Sequence, residues 1–301
     1  MDSMSVSYNL QTPAWPKPSA VLELIKPVTW FPPMWAYACG VVSVGVPLAD
    51  HILLIVIGVL LCGPVVCGMS QAANDWCDRH VDAINEPNRP IPSGRMPGRW
   101  GLWVAIAMSI GALGLGAVLG RWGFYATCVG VACAWMYSAE PFRLKRSGWW
   151  GPALVGLCYE GLPWFTGALV MSGGLPIGPI ILIALCYAIG AHGIMTLNDF
   201  KAYDGDRIMG IRSLPVTLGP RAAAQVACAV MLGAQLCVAA LLITWGAVVS
   251  AGIIGALICG QVLAMVRLIR DPEKYAPWYN AVGFLMFVSG MMVCAVTLRS
   301  L

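Results

Sequence analysis

Charge is scarce in this chain. Of its 301 residues, 11% are Asp, Glu, Lys or Arg, and 59% are hydrophobic. A soluble domain carries about 25% charged residues, so this chain has too few to cover a water-facing fold of its size. The net charge of +4 is also small. With no basic domain and no exposed aromatic platform, nucleic acid is excluded as a partner. Cys-x-x-Cys pairs are lacking although cysteine is not: the 12 cysteines mostly sit singly inside apolar runs, as at Cys39, Cys128, Cys186, Cys237, Cys259 and Cys294. They read as small, reduced, structural side chains rather than a disulfide framework.

What is present is a series of apolar runs, each near the roughly 20 residues that cross a bilayer. The pattern predicts an all-α, polytopic membrane helical bundle of nine transmembrane helices, at about 28–48, 52–73, 100–119, 122–139, 149–171, 177–197, 221–244, 247–267 and 278–298. Residues 1–26 form a cytoplasmic N-terminal segment and 27–301 a single transmembrane domain. No cleavable signal is expected, because the first apolar run begins too late. With the N-terminus in the cytoplasm, sixteen of the 18 Lys and Arg residues fall on the cytoplasmic side, leaving Arg121 and Arg299 opposite. That asymmetry fixes the orientation by the positive-inside rule. Tryptophans near span ends, such as Trp30, Trp35, Trp100, Trp149 and Trp150, suit an interfacial belt.

Two long cytoplasmic loops, 74–99 and 198–220, hold half of the 14 acids. They share a plan. Each opens with Asn-Asp, at Asn74-Asp75 and Asn198-Asp199, and has a second Asp seven positions on, at Asp82 and Asp206. Each then places an Arg before a Pro, at Arg89 with Pro92 and at Arg212 with Pro215. Such a repeat suggests two halves facing one site.

If the second span continues as a helix, Asp75, Asp78 and Asp82 fall on one face. Carboxylates so placed repel one another unless a cation lies among them. Hard oxygen donors without Cys or His at metal spacing select Mg²⁺ or Ca²⁺. Mg²⁺ usually takes one or two carboxylates together with substrate phosphates, so two facing clusters suit a diphosphate. In the second segment Asp199 and Asp206 repeat the pattern, and Asp204 is either a ligand or a helix-end acid. Arg89, Lys145, Arg146, Lys201, Arg207 and Arg212 lie on the same side to clamp phosphate oxygens, although Lys145 and Arg146 equally fit plain topology signals. Tyr137 and Ser138 end the fourth span at that depth. Glu160 and His192 lie inside spans, where ionisable groups are either functional or paired with a neighbouring helix.

The stretch from Asn74 to Arg95, NDWCDRHVDAINEPNRPIPSGR, together with Tyr137-Ser138, Leu144-Lys145-Arg146-Ser147-Gly148 and LNDFKAYDGDR from Leu197 to Arg207, resembles the UbiA-type intramembrane prenyltransferases. Within that superfamily it is most similar to the chlorophyll and bacteriochlorophyll synthase branch. The opening Lys26-Pro27-Val28-Thr29-Trp30-Phe31-Pro32-Pro33-Met34-Trp35 favours the bacteriochlorophyll side. The sequence departs from the branch at Asp204, where Glu is expected. It also departs from the D-x-x-x-D of quinone-pathway relatives, since position 202 is Ala.

The resemblance implies a UbiA-type fold, a Mg²⁺-dependent prenyltransferase using two ions, and esterification of a bacteriochlorophyllide propionate by geranylgeranyl or phytyl diphosphate with release of pyrophosphate. Its implied metal set is Asn74, Asp75, Asp78, Asp82, Asp199, Asp204 and Asp206, with Asp75, Asp78, Asp82, Asp199 and Asp206 catalytic. Asn74, Arg89, Tyr137, Lys145, Arg146, Asn198, Lys201 and Arg207 would bind substrate. The implied partners are a prenyl diphosphate, a Mg-chlorin acceptor, membrane lipid and pigment-assembly proteins, in a bacterial inner membrane with the site facing the cytoplasm. Three alternatives stand beside this expectation: a chlorophyll synthase, a prenyltransferase with a quinone or haem precursor as acceptor, and a divalent-cation transporter.

Overall fold

A computed structural model describes residues 15–301; the part of the expected N-terminal segment before residue 15 lies outside them. Every apolar run becomes helix, and no strand occurs among the described residues. In lipid a helix satisfies all its own backbone groups, which selects it over irregular chain.

A short helix α1 (Pro18–Leu24) precedes α2 (Phe31–Ser43). The next rod is α3 (Ile52–Leu60) and α4 (Gly68–Asn85), joined without a break by a π-helical stretch, Leu61–Cys67. Then come α5 (Trp100–Val118) and α6 (Gly120–Ser138). The following rod is α7 (Trp150–Gly156) and α8 (Leu162–Ser172), joined through π-helical Leu157–Gly161. After α9 (Gly178–Asn198), a single 3₁₀ turn leads to the short α10 (Tyr203–Met209) and α11 (Leu214–Leu218). Three long helices finish the chain: α12 (Pro220–Thr244), α13 (Val248–Arg270) and α14 (Pro272–Leu298).

Proline explains both wide stretches. Pro64 lies inside the first, and Pro163 follows the second. Each lacks the N–H that would close an ordinary helical turn, and wider hydrogen bonding absorbs the loss.

Seven of these rods are long and apolar enough to cross a membrane. The expected nine are not confirmed on that measure. Helix α2 has only 13 residues. Helix α6 has 19, but its Arg121, Gly, Thr and aromatic content lowers its mean hydropathy. The last helix begins at Pro272 rather than near 278, because Pro277 costs it only one backbone bond close to its N-terminus. The expected loops also shorten: 74–85 is helix, and so is most of 199–209.

The rods pack side by side as a bundle. Helix α2 packs on α8 and α14, α9 on α7 and α12, and α4 on α5 and α6. Small residues permit the close crossings, as is usual where lipid supplies no hydrophobic drive. A Cβ on Gly40 of α2 would stand 1.9 Å from the Trp164 carbonyl oxygen of α8, and one on Gly167 of α8 2.4 Å from that of Tyr37. One buried polar pair joins α12 to α13. Gln235 and Gln261, 1% and 0% exposed, exchange two side-chain hydrogen bonds of 2.9 Å.

Candidate active site

The acidic face of α4 forms because the rod runs on past the apolar region. Asp75, Asp78 and Asp82 share that face as their spacing requires. Asp75 is 1% exposed and Asp82 6%. The Asp75 Oδ1 accepts a hydrogen bond from Lys26 Nζ at 2.7 Å and lies 3.4 Å from Arg89. Arg89 also donates to Asp82 Oδ2 at 2.9 Å. Asp78 accepts from Arg143 at 2.9 Å and from the Lys145 ammonium. Burial pulls the Lys145 ammonium below the usual lysine range, with the Asp78 charge opposing it. Countercharge on this face therefore comes from four cations, while Asp75 Oδ2 is buried without a partner.

The second segment lies against the first. Asn85 Nδ2 donates to Met209 Sδ at 3.2 Å. Gly148 N donates to the Arg212 carbonyl at 2.9 Å, and Arg212 N to that of Arg146 at 3.2 Å. These bonds tie the loop carrying Lys145 to the second acidic segment. The approach demands glycine, since a Cβ on Gly148 would sit 2.4 Å from Leu214 N. Asn198 Oδ1 accepts from Asn280 Nδ2 at 2.8 Å, and Asn74 Nδ2 donates to the Ser138 hydroxyl at 3.4 Å.

Between the segments opens a cavity of about 300 Å³. Asn74, Tyr137, Lys145, Asn198 and Asp199 line its polar mouth. Further in stand Gln71 and Tyr159, linked by a 3.2 Å hydrogen bond. Beyond them the wall is mostly apolar, with Leu61, Val66, Ala126 and Leu162. At a helical rise of about 1.5 Å per residue, Leu61 lies roughly 20 Å along the rod from Asn74. Both π-helical stretches contribute wall residues: Leu61, Cys62, Val66 and Cys67 from one, Cys158 and Tyr159 from the other.

Not every expected residue reaches this place. Asp206 is buried but Asp204 is exposed, as are Lys201 and Arg207. Arg146 is 57% exposed and pairs with Glu140 at 3.0 Å. Among the described residues no group of three His, Cys, Asp or Glu stands ready to hold a metal. Glu160 is buried within the π-helical turn of the α7–α8 rod and has an unpartnered oxygen. His192 is buried on α9 with its ring centroid 5.7 Å from that of Trp149.

Lys26, Arg143, Gln71, Tyr159 and Asn280 were not marked by the sequence as site residues. Lys26 carried one usable sign, a lysine bordering the apolar run that is followed by Pro27. It takes up left-handed backbone, φ 45° and ψ 72°, to turn toward Asp75.

The family description "UbiA prenyltransferase family" matches residues 27–291. The chain belongs to the UbiA prenyltransferase family. It is 60% identical over 298 residues to the bacteriochlorophyll synthase 33 kDa chain of Cereibacter sphaeroides, covering 99% of both. It is 36% identical over 285 residues to the chloroplastic chlorophyll synthase of Avena sativa, covering 91% of this chain and 75% of that one. A structure of a UbiA homologue from Archaeoglobus fulgidus bound to GPP and Mg²⁺ superposes with a TM-score of 0.70 at 19% identity, over 94% of this chain and all of that one. That likeness establishes the UbiA fold. With its long apolar helices, this UbiA chain is an integral membrane protein.

Proposed function

We propose that this chain is a bacteriochlorophyll synthase, a prenyltransferase that esterifies the propionate of bacteriochlorophyllide with geranylgeranyl or phytyl diphosphate. The observation that carries this reading is 60% identity across 99% of a bacteriochlorophyll synthase chain, against 36% to a chlorophyll synthase. The cavity supports it. A polar mouth for a diphosphate opens onto an apolar interior that runs roughly 20 Å into the bundle.

The donor set fits Mg²⁺. Asp75 keeps a buried oxygen with no partner, and Asn74, Asn198 and Asp199 line the mouth. Mg²⁺ bound with substrate phosphates needs only one or two carboxylates, so no preformed three-acid cage is required. Asp75, Asp78 and Asp82 on one side and Asp199 and Asp206 on the other would hold two ions. Burial favours Asp206 over the exposed Asp204 for this role. When bound, such ions neutralise charge developing on the leaving diphosphate.

The remaining work falls to the chain. Arg89, Arg143 and Lys145 present positive charge beside the acids, where fixed donors aid a transition state most. The apolar walls keep water from the allylic carbon. A propionate is already ionised near neutral pH, so its oxygen attacks C1 without a general base. The C1–O bond to the diphosphate breaks, and its electron pair leaves on pyrophosphate. The Lys and Arg distribution supports a cytoplasmic position for this face, and similarity to a bacterial protein supports a bacterial inner membrane.

Membranes containing the protein, given bacteriochlorophyllide, geranylgeranyl diphosphate and Mg²⁺, should yield esterified pigment. Absence of ester from active-folded protein, or prenylation of a quinone precursor in preference, would overturn the assignment.

A further inference from the structure

The hairpin between α13 and α14 carries a second concave surface, lined by Leu263, Val266, Arg267, Arg270, Asp271 and Tyr275. Its two parts differ in chemistry. Leu263 and Val266 are 74% and 49% exposed on the outer face of α13. One turn further, Arg267 lies against an edge-to-face pair of rings, its guanidinium carbon 4.6 Å from the Tyr275 centroid and 4.7 Å from that of Trp278. Cation–π contact of this kind holds a guanidinium in place and leaves N–H groups available.

No carboxylate pairs with Arg267, Arg270 or Lys274 among the described residues. Two acids lie close. Asp271 Oδ1 accepts from Lys274 N at 3.3 Å and so caps α14, and Glu273 is exposed on the first turn. This end of α14 is the one that reaches the active site, through Asn280 and Asn198.

We propose that this surface binds one anionic glycerophospholipid. Its phosphate sits on the Arg267 guanidinium with Arg270 beside it, and an acyl chain lies along Val266 and Leu263. The charge and the apolar wall complement those two parts of a lipid in the right order, from the interface inward. A planar guanidinium matches a phosphate better than a point charge does. Lipid is also the medium around this face, so the occupant is always at hand.

The test uses the full-length chain purified in neutral detergent. Lipid retained after washing is counted by native mass spectrometry. Thermal unfolding is followed with added phosphatidylglycerol, phosphatidylcholine or inorganic phosphate. Wild type should retain one phosphatidylglycerol and gain thermal stability from it alone. R267Q/R270Q should lose both effects, with about fivefold weaker binding for each cation removed. If removing Arg267 disturbs folding, R270Q alone, whose side chain makes no ring contact, should still weaken phosphatidylglycerol binding about fivefold. Unchanged phosphatidylglycerol retention in either variant overturns the proposal. So does an equal stabilisation by phosphatidylcholine, or by inorganic phosphate, which would mark a free-anion site.

Discussion

Removing the Lys26 ammonium should destabilise the bundle, and Mg²⁺ should restore what is lost. Asp75 is 1% exposed, and its nearest cation is Lys26 at 2.7 Å. Breaking a fully buried pair by removing one partner costs about 3–5 kcal/mol. Two features reduce that here. The Lys26 side chain is 26% exposed, and Arg89 still stands 3.4 Å from the same oxygen. Solvent screening and the remaining partner bring the expected cost of Lys26→Met to about 1–2 kcal/mol. Equilibrium unfolding in mixed micelles with increasing sodium dodecyl sulfate reads that difference. A divalent ion at Asp75 would supply the missing charge, so the deficit should shrink when Mg²⁺ and a prenyl diphosphate are added. The backbone gives an internal control. A left-handed residue costs about 1 kcal/mol when it is not glycine, so Lys26→Gly should be less destabilised than Lys26→Ala. A Lys26→Met protein as stable as wild type, or a deficit indifferent to Mg²⁺, would refute the role given to Lys26 and the metal site at Asp75.

Three further outcomes are expected. Asp75→Asn and Asp199→Asn should each lower prenyl transfer by about a hundredfold or more, while circular dichroism keeps the wild-type helical signal. Gly130→Phe should fill the middle of the cavity, because a Cβ there already lies 3.4 Å from Leu162 Cδ2; steady-state assays should show KM for geranylgeranyl diphosphate rising about tenfold and that for geranyl diphosphate rising less. Gln235→Leu should cost about 1–3 kcal/mol by stranding the Gln261 side-chain N–H, while Gln261 Oε1 still accepts from the Tyr279 hydroxyl at 3.4 Å. Adding Gln261→Leu should recover that cost only in part, because it strands the buried Tyr279 hydroxyl, as read by the same unfolding measurement.

The helical bundle and the two acidic segments were legible because both rest on local pattern. Apolar runs of bilayer length require helix whatever their neighbours, and a spacing of three and four puts Asp75, Asp78 and Asp82 on one face wherever the rod lies. Two partners of those acids, Lys26 and Arg143, were not legible. Lys26 meets Asp75 across 49 positions, and Arg143 meets Asp78 across 65. Nothing in either segment states that distance. Arg146, Lys201 and Arg207 are exposed, which their sequence positions do not state. Loop cations near an expected phosphate look alike in sequence, and only the turn of the chain separates Lys145, at the cavity mouth, from its exposed neighbour. The count of nine spans is not confirmed at α2, which has 13 residues, and at α6, whose polar and glycine content lowers its hydropathy.

The π-helical stretch Leu61–Cys67 sets the rotational phase of everything after it in its rod. A π turn accommodates one residue more than the α-helical ladder, and each residue of an α-helix turns the chain by about 100°. Winding the same residues as unbroken α-helix would leave the sequence and hydropathy of the rod unchanged. It would nevertheless swing Asp75, Asp78 and Asp82 by more than a quarter turn, away from Lys26, Arg89 and Arg143. The aim of the acidic face is thus encoded upstream of every acid in it, by an irregularity that holds no charge.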